Sequence, residues 1–151
     1  MGMSASDEYA VQMWQVFAGG VAYVMGQVEP ERDWEKSSPG KFVQKVDPAS
    51  GERVWSVVIA DPGSASQRKI KILCDDEPVV PEPAPGAPPF TPVEFVELSI
   101  RPWLDDRGCK PSGGHRRCGC RVELSIRARG IRPAGTGRPS PAPKNQASDA
   151  A

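Results

Sequence analysis

Histidine is almost missing from this chain, with one among 151 residues. Its scarcity removes the side chain that most often serves as general base. A Gly-x-Ser-x-Gly elbow, a Walker glycine loop and a Gly-x-Gly-x-x-Gly after a strand are absent too. The acidic residues stand mainly in turns and beside prolines, with no arrangement that would raise one carboxyl pKa for acid–base work. These absences disfavour catalysis, and a non-enzymatic protein is expected.

Long apolar runs are also lacking. The stretch Val16 to Gly26 is far shorter than the roughly 20 residues that a membrane-crossing helix needs. It follows Asp7 and Glu8, and the first basic residue of the chain is Arg32, so no secretory leader is recognisable. A cytoplasmic protein without membrane contact is the expectation. In that compartment the four cysteines are expected reduced or metal-bound.

Proline and glycine are abundant instead, at 17 and 15 residues, so the ordered part is expected to be roughly a hundred residues. Net charge is zero but unevenly spread. From Arg101 to Lys144 there are eleven Lys/Arg against Asp105, Asp106 and Glu123, whereas residues 1–100 hold eight basic and fifteen acidic residues. The C-terminal third is therefore the part suited to a polyanion.

The hexapeptide Val96-Glu97-Leu98-Ser99-Ile100-Arg101 returns unchanged as Val122-Glu123-Leu124-Ser125-Ile126-Arg127. Both copies alternate apolar and polar residues at a period of two, which predicts two half-buried strands with Val, Leu and Ile turned to the core. The segment between them holds Gly108, Pro111, Gly113 and Gly114, so a long decorated hairpin loop is expected.

In chain order, residues 1–15 read as an arm or a short helix. Val16 to Glu29, with Gly19, Gly20 and Gly26 interspersed, reads as a long bent first strand. Lys41 to Val46 and Glu52 to Ala60 flank the tight turn Asp47-Pro48-Ala49-Ser50-Gly51 and predict a hairpin. Gln67 to Cys74 alternates again, with Ile70, Ile72 and Cys74 on one face and Lys69 and Lys71 on the other. Residues 77–92 carry seven prolines and predict an extended strap, or less simply a ligand for proline-reading domains. The tail 134–151 is Ala/Pro/Ser/Gly-rich and is expected to be disordered.

The sum is an all-β domain over 16–133, read as a small five- to six-stranded, partly open barrel of the oligonucleotide-binding type. Its expected DNA-binding face carries Phe95, Arg101 and Trp103 from the first copy of the hexapeptide and its flanks, and Arg127 and Arg129 from the second. Lys69 and Lys71 extend it. Arginines beside a stackable aromatic suit sequence-tolerant single-strand binding. Within the hairpin insert 104–120, Cys109, His115, Cys118 and Cys120 form the only constellation suited to zinc. A Cys109–Cys118 or Cys109–Cys120 staple, or free thiols, are the alternatives, and no other cofactor is expected.

The order Gly19-Gly20-Val21-Ala22-Tyr23-Val24-Met25-Gly26-Gln27-Val28-Glu29-Pro30, Val54-Trp55-Ser56-Val57, Phe90-Thr91-Pro92-Val93-Glu94-Phe95, Leu98 to Trp103 and Ser125 to Ile131 resembles the plasmid replication, integration and excision activators of actinobacterial conjugative elements. The resemblance runs from about Phe17 to Pro133. It implies an accessory protein for replication, integration and excision of a mobile element, without catalytic residues. The partners expected are DNA, single-stranded by the reading above, and replication or recombination proteins of the element. An adaptor that contacts such a protein without touching DNA is the alternative.

Overall fold

The structure, a computed structural model, describes residues 7–86, 90–108 and 119–135. It is mostly β, a curled open half-barrel. Its centre is the most apolar strand of the chain, Val54–Asp61 (β4), in which only Val58 is exposed. Such a strand is stable only with both faces covered. It pairs antiparallel with Ser66–Leu73 (β5) from Val54↔Leu73 to Asp61↔Ser66. Asp61 shapes the tight turn between them, accepting hydrogen bonds from Gly63 N at 3.0 Å and Ser64 Oγ at 2.9 Å. Gly63 is required there, because a Cβ at this position would lie 2.5 Å from the Cβ of Ala18.

The N-terminal region departs from the sequence expectation in two ways. Besides the short helix expected there, a single turn at Met13–Val16 (α1) that leads into the fully buried Phe17, the arm contributes a strand, Tyr9–Ala10 (β1). The long bent first strand is instead a 3-10 turn at Ala18–Gly20 followed by Ala22–Val24 (β2) and Glu29–Pro30 (β3). Gly19, Gly20 and Gly26 all adopt positive φ, at 71°, 70° and 105°. The glycines therefore serve left-handed turns that interrupt the strand rather than bends within it. Lys41 to Val46 does not form a regular strand either, and makes only the isolated bridges Ser38↔Lys41, Arg32↔Gln44 and Val46↔Arg53.

The C-terminal half is one long hairpin. Its first arm is Thr91–Val96 (β6) and Ser99–Asp105 (β7), and its second is Arg121–Ala128 (β8) and Gly130–Pro133 (β9). The same register runs from Val93↔Pro133 to Val96↔Gly130 and from Ser99↔Arg127 to Asp105↔Arg121. The interruption falls at Glu97, whose φ is 50°, and Arg129. A positive φ at a single residue rotates the following side chains to the opposite face. Val93 and Phe95 are accordingly buried before the kink, and Leu98 after it.

The kink also sends the two halves of the hairpin to different neighbours. β9 pairs with β6, while β8 lies parallel to β5 with Ile70↔Ile126 and Ile72↔Ala128 in register. The sheet order is β1-β7-β8-β5-β4-β2-β6-β9, with β3 on β4. Among the described residues its nine short and long strands exceed the five or six expected from sequence, because glycines and the kink subdivide the longer ones and the arm adds β1. The concave side holds Phe17, Val57, Ile59, Ile70, Ile72 and Val93, all almost fully buried. No helix among the described residues is long and apolar enough to cross a membrane.

Candidate nucleic-acid interface

Beyond Ile100 and Ile126 the hairpin projects from the core as a two-stranded ribbon, β7 against β8. Residues directly opposite share a face. One face of the ribbon carries Arg101 opposite Ser125 and Trp103 opposite Glu123. Arg101 is exposed and makes no ion pair among the described residues. Trp103 is 42% exposed, with the Arg107 guanidinium 6.0 Å from its ring. Arg101 and Trp103 thus share one exposed face of the ribbon.

The other expected members are placed differently. Arg127 is largely buried between two carboxylates, with Nη2 3.2 Å from Asp47 Oδ1 and Nη1 3.5 Å from Glu8 Oε2. Arg129 pairs with Glu52, and Lys69 Nζ lies 3.0 Å from Glu31 Oε2. Lys71 is half-buried, and burial followed by repulsion from Lys45 pushes its ammonium pKa down. Phe95 is a core residue, its ring centroid 6.0 Å from that of Phe17. The phase change at Glu97 explains its placement, since counting back by twos from Arg101 fails across the kink.

The second copy of the hexapeptide is not the buried strand that its pattern predicts. Only Ile126 is in the core; Val122 and Leu124 are 68% and 53% exposed, and Leu104 opposite Val122 is 56% exposed. Alternation shows which residues share a face but not whether anything covers it. At the outer end of the ribbon, Asp105 accepts hydrogen bonds from Arg107 Nε and Nη2, both at 2.8 Å. These bonds, with the nearby Arg121, hold its carboxyl down at about 2.

Of the proposed zinc ligands, Cys109, His115 and Cys118 lie outside the described residues. Cys120 is disulfide-bonded, to a cysteine outside the described residues, and so is neither reduced nor metal-bound as the sequence led one to expect. Among the described residues no three His, Cys, Asp or Glu side chains converge as a metal site. Cys74 is half-buried rather than a full core residue; its Sγ donates to Asp76 O at 3.0 Å, and burial raises its thiol pKa.

Sequence reading passed over the loop between β3 and β4. There the Arg32 guanidinium stands 4.8 Å from the Trp34 ring centroid and 5.9 Å from that of Phe42. The available signal was Arg32-x-Trp34 facing Phe42 across the turn Ser37-Ser38-Pro39-Gly40, because side chains two apart share a strand face. No family model, curated protein or solved structure matches the chain, and its interface is read from its own geometry.

Proposed function

We propose that this chain is a non-enzymatic, cytoplasmic accessory protein that binds single-stranded DNA in the replication, integration and excision of an actinobacterial plasmid or integrative conjugative element. The element context rests on the family resemblance of residues 17–133. DNA binding rests on one observation above the others: Arg101 and Trp103 stand two residues apart on the same face of a projecting ribbon, open and adjacent. Phosphate contact by the guanidinium and base stacking on the indole are what a sequence-tolerant single-strand binder requires.

The strand order supports the same reading by analogy of fold. β2 pairs with both β4 and β6, β4 with β5, β5 lies parallel to β8, and β9 returns to β6. With β8 and β9 counted as one bent strand, that is the pairing pattern of a small barrel of the oligonucleotide-binding type. Fold alone does not assign function, so the side chains of the ribbon carry the argument.

The test is fluorescence anisotropy with single- and double-stranded oligonucleotides at two salt concentrations. The expected result is tighter binding of single than of double strands, with an affinity for both that falls as salt rises. Arg101→Ala is expected to shallow the salt slope by about 0.7 for one lost single-strand phosphate contact. Trp103→Ala is expected to cost about 1–3 kcal/mol with little change in slope. Absence of oligonucleotide binding at low salt would overturn the proposal. It would favour the adaptor reading, for which the exposed row of Leu104, Val122 and Leu124 is the specific observation.

A further inference from the structure

The loop of residues 31–46 is built as a small ribbon of its own. Asp33 N donates to Val43 O at 2.9 Å and Lys45 N to Glu31 O at 2.8 Å, on either side of the Arg32↔Gln44 bridge. Trp34 opens the turn that follows Asp33, and it and Phe42 both lie against the Arg32 guanidinium. Ser37 Oγ accepts from Val43 N at 3.0 Å, and Asp33 Oδ1 accepts from Glu35 N and Lys36 N at 3.0 and 3.2 Å. The backbone is thus pinned, yet Trp34 is 76% exposed and Phe42 53%. These rings stay in solvent because their ribbon turns them there.

Arg32 lies within cation–π distance of both rings, and its Nε is buried without a hydrogen-bond partner among the described residues. The carboxylates on either side of it in sequence are already engaged, Asp33 by the turn and Glu31 by Lys69. Lys36 and Lys41 stand in the same loop and make no ion pair among the described residues. An exposed indole, a second ring and a guanidinium with no ion pair among the described residues match the chemistry of an unpaired nucleotide, whose base stacks and whose phosphate accepts. A purely apolar peptide would leave the guanidinium desolvated without a partner, at a cost in free energy.

We propose that Trp34 and Phe42 form a second stacking platform for single-stranded nucleic acid, with Arg32 as its phosphate contact. The inference rests on the single-strand reading above, and enlarges that interface from the projecting ribbon to the loop between β3 and β4. DNA and RNA share this chemistry, so the probes are labelled oligo-dT and oligo-rU of equal length, titrated against the full chain by anisotropy.

Trp34→Ala is expected to weaken binding about five- to a hundredfold, with the salt slope unchanged. Arg32→Ala is expected to shallow that slope by about 0.7. Neither is expected to lower the melting temperature, and Trp34→Phe is expected to recover part of the affinity. Tighter binding of oligo-rU than of oligo-dT would keep the platform and assign it to RNA. If Trp34→Ala and Phe42→Ala bind as tightly as wild type while Trp103→Ala binds weakly, the platform is overturned and the ribbon reading stands. If wild type binds neither probe at low salt, both readings fall together. A melting temperature that drops with Trp34→Ala would mean the ring props the loop, and would also overturn the proposal.

Discussion

Asp47 decides what Arg127 can do. Its carboxylate is buried and accepts from Ser50 N at 3.1 Å, Ser50 Oγ at 2.9 Å and Arg127 Nη2 at 3.2 Å. Burial alone would push its pKa up, but the hydrogen bonds from Ser50 and Arg127 outweigh it and the net shift is downward. Removing one member of a buried pair leaves the other uncompensated, so Arg127→Ala is expected to cost about 3 kcal/mol of stability at neutral pH, the low end for such pairs because Ser50 remains. Both Asp47 and Asp105 have folded pKa values below the ordinary 3.8. Their contribution is therefore complete above about pH 4 and lost as pH falls through the folded values, toward 2 for Asp105. Denaturant midpoints measured between pH 7 and 2 should fall for wild type below about pH 4. Arg127→Ala should fall less, because its pair is already gone; an equal fall would show that the pair contributes nothing. None of this was readable in the sequence. The alternation placed Arg101, Arg127 and Trp103 on one face, as observed, but the neutralising carboxylates come from Glu8, Asp47 and Glu52, far away along the chain.

Elements were more legible than their limits. β4, β5 and the β7–β8 pairing lie where period-two alternation and turn residues put them, since these strands keep one phase from end to end. Two of the misreadings share a cause, a residue with positive φ. Gly19, Gly20 and Gly26 cut the first strand into pieces, and Glu97 rotates Phe95 into the core while Arg101 stays outside. A glutamate in the left-handed region announces nothing in a sequence, whereas a glycine announces too many possibilities. The ribbon invites a test at this scale. Asp105 pairs directly with Arg121, and Leu104, Val122 and Leu124 around them are exposed. Replacing residues 106–120 by an Asn-Gly turn is therefore expected to leave the melting temperature within a few degrees of wild type, because none of the described residues removed belongs to the core, Asp105 keeps Arg121 opposite it, and the two-residue turn suits the twist of the strands. Loss of cooperative unfolding in this variant would show that the outer hairpin helps to hold the fold.

At the scale of the molecule, the half-barrel is held by pairings between distant parts of the chain: Ala22↔Val93 joins β2 to β6, and Ile70↔Ile126 joins β5 to β8. An all-β barrel was inferred from strand count and composition. The curl depends on one device that sequence could not announce, a hairpin that keeps its register across a kink and so reaches two separate neighbours. Ile126 sits where those constraints meet, buried in β8 beside β5 and opposite Ile100 of β7. Ile126→Ala is expected to cost about 2–5 kcal/mol, the range for removing a buried isoleucine side chain to Cβ. The ribbon carries no core of its own, so it should lose structure together with the barrel rather than before it. Thermal unfolding followed by Trp fluorescence and by far-ultraviolet circular dichroism is therefore expected to give coincident single transitions, for wild type and for Ile126→Ala at lower temperature. A variant that unfolds in two steps, with the ribbon lost first, would show that β8 is bound to the barrel more weakly than its pairing with β5 implies.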